Sequence, residues 1–558
     1  MEKRLLLALV LAAIVIVVSQ KLFPTPAAPR RVTADSTAVV SIADSVQKSS
    51  QSDSAKIPEP APIAQSDTSV AHERGAAPIG DTLVISTSKA IYRFASLGAV
   101  PLDVVLKDYR VLPKSGKNIV LGRPGIRLLS YELATKTDTI HLDRLKFNVD
   151  SSMKSNEAGV TFTAAVNNKH ITISYAFAPD GYLANVHGSV IGADPSTDLL
   201  IRLHQGLPIV EADSSDDLRS LAYVVKPVQD GVSSVSFSKL DSLAPKIEPE
   251  PLAWVASKNK YFLLAIISKA PGQAFSAAVF TRGLHQPKAV AAADGLLIQP
   301  LTKSGEFAFQ LYTGPQEWRR LHQMGQDLDH VNLYGGILRA VVEPFANVVM
   351  QILLWIHDGL RTNYGWVLII FGVTVRILLW PLNQGAMRNS LKLQRIQPQL
   401  QEIQKRYKSQ PEKLQTEMGK LYRDHGMSPF TPLAGCLPML IPMPVLYALY
   451  FVFQNSIEFR GVSFLWLPDL SQRDPFFILP AAMGISMFVL SWISLRASPP
   501  NPQAKMMAYV FPVMMVVFFW RLAAGLNLYY AVQNIATLPQ QWLIARERAK
   551  LTVTPASG

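Results

Sequence analysis

Gly365–Leu382 (GWVLIIFGVTVRILLWPL) is an apolar run about long enough to cross a bilayer, and one charge, Arg376, stands inside it. A guanidinium among lipid tails costs about 2.5–3.5 kcal/mol on insertion scales. The side chain therefore has to meet water, a protein cavity or a partner. It stands six positions before Leu382, about 9 Å along a helix. From there it either snorkels to inner-leaflet head groups or faces a wet groove open to the cytoplasm and closed toward the outside.

The chain is long enough for several domains, and its hydrophobic runs gather in the C-terminal third. The net charge of +13 is uneven: basic residues concentrate in segments that flank those runs on one side. This is the positive-inside pattern of a membrane protein and weakens a nucleic-acid reading of the basic charge. Cys436 is the only cysteine, which excludes a disulfide framework and a cysteine-based metal site.

Residues 1–23 carry Lys3 and Arg4 before an apolar run from Leu5 to Val18. A cleaved signal peptide has a similar layout, but Ala27 and Ala28 lie among prolines and make a poor cleavage site, so an uncleaved signal anchor is favoured. Residues 24–80, rich in Ala, Pro, Ser, Thr and Asp, read as a flexible exported linker. Residues 81–321 read as a large β-sandwich. His170–Ala178 alternates Ile171, Ile173, Tyr175 and Phe177 on one face before a Pro179-Asp180-Gly181 turn. Leu83–Ser86, Leu199–Leu203 and Tyr261–Ile267 are further strands. No HExxH, GxSxG or phosphate loop is present, and the isolated His204 and Asp180 read as structural or exposed.

Residues 334–357 form an amphipathic segment with Leu338, Val342, Phe345, Val349, Ile352 and Ile356 on one stripe. It either packs on the β domain or lies flat in the outer interface. Spans follow at Gly365–Leu382, Phe430–Phe453, Phe476–Leu495, Met506–Trp520 and Gly525–Ile544, making six with the N-terminal anchor. Both termini, the basic loop Arg388–Gly426 and the basic tail 546–558 then fall inside, with Arg521 the one discord.

Within residues 388–426, Ile396, Leu400, Ile403 and Tyr407 mark one helical stripe and Leu414, Met418 and Leu421 a second, an antiparallel hairpin started by Pro411 and stopped by Gly426. Pro398 is expected to kink or delay its first helix. The outer faces carry Arg395, Lys405, Arg406, Lys408, Lys413, Lys420 and Arg423. They suit a solvated face near anionic lipids, or docking to acidic partners or ribosomal RNA.

On the last span, Asn527, Tyr530, Asn534, Thr537 and Gln541 share a narrow helical sector. A polar stripe on a membrane helix faces protein or water, here as interhelical hydrogen bonds or as the wall of a groove. Met439, Met443, Tyr450 and Phe453 line one stripe of the third span, and Met483, Met487 and Ser494 the fourth. Flexible thioethers suit a surface that accepts many apolar shapes, or simply fill gaps in a core.

The ordered series TVRILLWPL (374–382), SPFTPLAGCLPMLIPMPVLYALY (428–450), DPFFILPAAMGISMF (474–488) and GLNLYYAVQN (525–534) resembles the YidC/Oxa/Alb family of membrane protein insertases, in its Gram-negative form. The resemblance implies a multi-span α-helical membrane protein. Its parts would be a five-helix conserved core over 364–545, a hydrophilic groove open to cytoplasm and lipid, and a periplasmic β-supersandwich largely dispensable for insertion. It maps a groove arginine onto Arg376, a cytoplasmic hairpin onto residues 388–426 and substrate-contact tyrosines onto Tyr529 and Tyr530. Gly372 stands where some relatives carry a hydroxyl residue, and the short tail departs from relatives with an extended ribosome-binding tail.

These features point to an insertase and chaperone of the bacterial inner membrane, not an enzyme, and without a cofactor. A nascent membrane protein leaving the ribosome would pass its polar portion through the groove and its apolar portion into membrane lipids. By resemblance, the Sec translocon, the signal recognition particle and its receptor are expected partners. A small-solute transporter or channel is the main alternative, but no inverted repeat is visible. A sugar-binding or sugar-modifying exported domain would leave the other spans unexplained.

Overall fold

Along Lys169–Phe177 the buried residues are Ile171, Ile173, Tyr175 and Phe177, every second position of a strand with one wetter face. The chain turns at Gly181, whose φ of 80° suits glycine, and returns as Leu183–Ile191, with Ala184 opposite Phe177. This hairpin belongs to a computed structural model describing residues 81–553, except 113–115, 137, 151–158, 180, 212, 242–243, 270–272, 283–291, 333–338, 426–442 and 497–501. The expected N-terminal anchor and linker, Asp180, Cys436, Met439 and the start of the Phe430–Phe453 span lie outside the described residues. The chain divides into two compact units between Val331 and Asn332.

Among the described residues the first unit holds three antiparallel sheets. One has four strands, Thr82–Ser86, Ala90–Ala95, Val100–Arg110 and Asn118–Leu121, in that order. Another has nine, with Leu252–Lys258, Phe262–Ser268, Glu306–Pro315, Leu183–Ile191 and Lys169–Phe177 side by side at its centre. A six-stranded sheet contains Ala277–Thr281, Asp294–Pro300, Asp198–Leu203 and Leu129–Ala134 as its middle strands. Aromatic side chains tie the layers. Tyr131 of the six-stranded sheet meets Tyr175 of the nine-stranded one, hydroxyl to hydroxyl, at 2.8 Å. Tyr223 stacks on Phe280 at 4.6 Å, and Phe94 of the four-stranded sheet sets its ring 4.8 Å from that of Tyr175. The result is a β-sandwich with a third sheet added. Phe262–Ser268 is buried along its whole length, so it reads as a continuous apolar run instead of alternating.

One short helix, α1 (Ser214–Ser220), lies on an earlier connection, and the unit continues past Leu321 through α2 (Trp318–Met324) to a 3-10 turn at Leu328–Val331. His204 is a structural residue, its Nε2 2.8 Å from the Ser130 hydroxyl, and burial pushes its imidazole pKa down. Gly188 lies opposite Phe307, and a Cβ there would stand 2.0 Å from that ring. Gly188→Val is therefore expected to lower the melting temperature of this unit by about 3–10 °C, from the usual ~1–3 kcal/mol of overpacking. Calorimetry of the intact protein reads the shift.

The second unit is helical: α3 (Arg339–Leu360), α4 (Tyr364–Arg406), α5 (Pro411–Asp424), α6 (Met443–Asn455), α7 (Ile478–Arg496), α8 (Pro502–Phe519) and α9 (Ala524–Val553). Two expectations need correction. First, α4 does not end at Leu382 or start again at the hairpin; one helix of 43 residues runs through Pro381 and Pro398. Each proline removes one backbone donor, and a long helix with packed partners tolerates that loss. Second, the expected stripe on α3 holds only in part. Val342, Val349 and Ile356 are buried as expected, but Ala346 and Leu353 complete the buried face in steps of four and three, while Ile352 is exposed. Packing against α6 selects this face.

Among the described residues, Tyr364–Pro381 and Ile478–Arg496 are the helices long and apolar enough to cross a membrane by length and composition, and Ala508–Phe519 is a shorter apolar segment. Ile377 and Leu378 on α4, Ile485 on α7 and Val513, Val517 and Phe518 on α8 are all exposed, Leu378 by 74%. A contiguous lipid covering accounts for such a surface; water does not.

Candidate functional site

The candidate site is the interface of α4 and α9, and neighbouring loops fix both helices. Asn363 caps α4, its side-chain oxygen accepting from the Gly365 N–H at 2.8 Å. Asp474, fully buried, accepts from the N–H groups of Phe476 (3.0 Å) and Leu479 (2.7 Å) and so starts α7. The same loop supplies carbonyls to the first turn of α9: Gln472 to the Ala524 N–H at 2.7 Å and Leu470 to the Gly525 N–H at 2.9 Å. Asn527 donates to the carbonyls of Phe519 (3.1 Å) and Leu522 (3.4 Å) and ties α9 to the end of α8.

Along the interface α9 is stitched to α4 by two glutamines. Gln533 donates to the Gly372 carbonyl at 3.1 Å and to the Tyr529 hydroxyl at 2.9 Å. Gln540 donates to the Trp380 carbonyl at 3.2 Å, and its side-chain oxygen accepts from Arg376 Nη2. At Gly372 the helices are close enough that a Cβ would lie 3.1 Å from Val532 Cγ1. A side chain at 372 would press on Val532, so the two helices approach closely there.

Arg376 is half-buried, and its Nε is buried without a hydrogen-bond partner. Among the described residues no carboxylate pairs with it; its one bonded partner is a neutral amide. The guanidinium has five N–H donors. The structure therefore holds an uncompensated positive charge with donors to spare inside a helical bundle.

Tyr529 shares this interface with Arg376, and Tyr530 beside it packs on the end of α8. The Tyr529 ring lies 5.8 Å from Phe371 of α4 and 5.6 Å from Tyr530, which is 5.0 Å from Phe519. Thr537 turns its hydroxyl back onto the Gln533 carbonyl at 2.6 Å, and Asn534 is half-buried with its amide nitrogen unpartnered. Three expected groove residues line no open surface: Asn527, Tyr529 and Met483 are buried, Asn527 at the α8–α9 corner, Tyr529 against α4 and Met483 in α7. Met487 and Tyr450 are half-buried, Tyr450 against Phe451 at 5.2 Å. Met443 begins α6, with its side chain outside the described residues. The expected polar stripe missed Gln533 and Gln540. They stand two turns apart on α9, in step with Tyr529, and that spacing was the signal for them.

The far end of α4 and α5 form the hairpin. Ile396 and Tyr422 are its buried centre, with Leu400, Met418 and Leu421 packed around them. Lys405, Arg406, Lys413, Lys420 and Arg423 are exposed; Lys420 reaches Glu417 at 2.8 Å and Arg423 Nε the Gly419 carbonyl at 3.3 Å. The Arg395 side chain lies outside the described residues. Tyr422→Ala is expected to cost the hairpin at least about 2 kcal/mol. Hydrogen exchange over residues 411–424 should then quicken by about thirtyfold or more while the α4–α9 interface stays protected.

Among the described residues no group of three or more His, Cys, Asp or Glu side chains is placed to hold a metal ion. The family model for the YidC periplasmic domain matches residues 82–348, and that for the 60Kd inner membrane protein matches residues 355–551. The chain is 27% identical to the membrane protein insertase YidC of Chlorobium limicola, covering 87% of this chain and 89% of the relative. It is 29% identical to that of Chlorobium phaeovibrioides, covering 90% of each. Against that of Burkholderia cenocepacia identity rises to 34%, over 58% of this chain and 56% of the relative. Two family models that together take in most of the chain, and relatives that share nearly its full length, place it: the chain belongs to the YidC family of membrane protein insertases, integral proteins of the inner membrane and not enzymes.

Proposed function

We propose that the α4–α9 interface is where a nascent membrane protein is handed from the cytoplasm to the bilayer. The observation that carries this reading is Arg376, a cation inside the helical unit with a neutral partner and spare donors. Such a group replaces part of the hydration of a polar or acidic segment drawn into the membrane. Tyr530, Asn534 and Thr537 continue the polar surface along α9. Met487 and Tyr450 offer the apolar side. The incoming segment then moves into lipid, driven by its own transfer at about 25 cal/mol per Å² of apolar area. The protein lowers the barrier and needs no nucleotide.

Six spans with both termini in the cytoplasm fit the charge distribution, and the exposed apolar faces of α4, α7 and α8 fit a lipid boundary. The basic faces of the hairpin suit contact with the ribosome, the signal recognition particle and its receptor, or anionic lipids. Cooperation with the Sec translocon rests on family resemblance. A photoreactive residue at position 530 should crosslink a ribosome-stalled membrane protein more strongly than one at exposed position 513 on α8. Equal labelling at both, or labelling at 513 alone, would move the path away from this interface.

A further inference from the structure

Gln540 is 2% exposed, and both ends of its amide are engaged. Nε2 donates to the Trp380 carbonyl at 3.2 Å, which fixes the orientation and turns Oε1 toward the Arg376 guanidinium. An amide flipped the other way would set donor against donor at the arginine. A glutamate in this place would meet the guanidinium with a charge and lose the donation to Trp380. An apolar residue would meet neither group. Glutamine thus does something no other residue of this length does: it holds the guanidinium toward α9 and leaves its charge intact.

We infer that Gln540 is the positioning residue that sets the charge preference of Arg376, keeping the cation oriented yet uncompensated so that a carboxylate of the incoming chain pairs with it. The inference deepens the function proposed above and rests on it. When an acidic segment arrives, its carboxylate engages the guanidinium donors on the half-buried side chain in a charge-assisted contact stronger than the neutral one to Gln540. Gln540 stays bonded to the Trp380 carbonyl, so the arginine returns to it when the segment has left.

The test uses the full chain in vesicles of mixed zwitterionic and anionic phospholipid, with a single-span membrane protein as cargo. One cargo has an acidic translocated tail, and the other has every tail Asp and Glu changed to Asn and Gln. Gln540→Glu places a fixed anion on Arg376. It is expected to reduce acidic-tail insertion about tenfold or more, the usual scale of a hydrogen bond to a charged group, and to change neutral-tail insertion less than about twofold. Gln540→Met keeps length but orients nothing, and should lower acidic-tail insertion more than neutral-tail insertion; it decides the matter if the Glu variant does not fold. Equal losses with both cargoes would make Gln540 a packing residue and overturn the inference. So would a Gln540→Glu protein that inserts the acidic tail as well as wild type while Arg376→Ala fails to. If Arg376→Ala also inserts the acidic tail normally, the proposed function itself fails, and the inference with it.

Discussion

Arg376→Ala is expected to lower insertion of an acidic-tailed cargo at least about tenfold, and Arg376→Lys to keep most of it. The guanidinium lies half-buried against α9 with Nε unpartnered and no carboxylate beside it among the described residues. Alanine removes the charge and every donor. A charge-assisted hydrogen bond contributes about 1.5–3 kcal/mol, or roughly ten- to hundredfold in a rate that depends on it. Lysine restores the charge as a compact ammonium, without the planar fork, so some loss is expected there too. Folding is a separate matter. Alanine also leaves the Gln540 oxygen buried without its donor, so thermal stability of each variant in detergent has to be compared beside insertion.

The second large effect is structural. Gly484→Leu is expected to leave little assembled protein, because a Cβ at Gly484 would stand 2.2 Å from Val516 Cγ2. The α7 and α8 backbones approach closely there, and small residues permit that approach in membrane bundles. Pushing α8 away also disturbs α9, since Asn527 ties the two at Phe519 and Leu522. Overpacking typically costs about 1–3 kcal/mol, and a leucine without an outlet should reach the upper end or pass it. Size-exclusion chromatography after heating reads the loss. Adding Val516→Ala removes the clashing methyl groups and should restore much of the stability, which a nonspecific defect would not allow.

Strand periodicity was legible wherever one face is wet. Lys169–Phe177 shows it, with Ile171, Ile173, Tyr175 and Phe177 inside. The hairpin was also legible, since Ile396, Leu400, Met418 and Leu421 repeat at helical spacing and meet as expected. The stripe on α3 was harder because apolar residues surround much of that helix. Composition then allows several faces, and contact with α6 chooses Leu353 over Ile352. The continuity of α4 was missed because a proline in sequence signals a stop, whereas packing decides whether the helix goes on. Arg376 stood out by its cost in lipid. Gln540 carried only its helical spacing from Gln533 and Tyr529: a glutamine midway along a helix looks like an ordinary polar residue until the facing helix supplies the Arg376 donor and the Trp380 carbonyl.

The most direct test of the account is the coupling between Arg376 and the charge of the cargo, measured as insertion into vesicles for wild type and Arg376→Ala with acidic and neutralised translocated tails. A charged acceptor site predicts that alanine costs the acidic tail at least about tenfold and the neutral tail much less. Equal losses for both tails, or none for either, would contradict it and return Arg376 to the role of a head-group anchor.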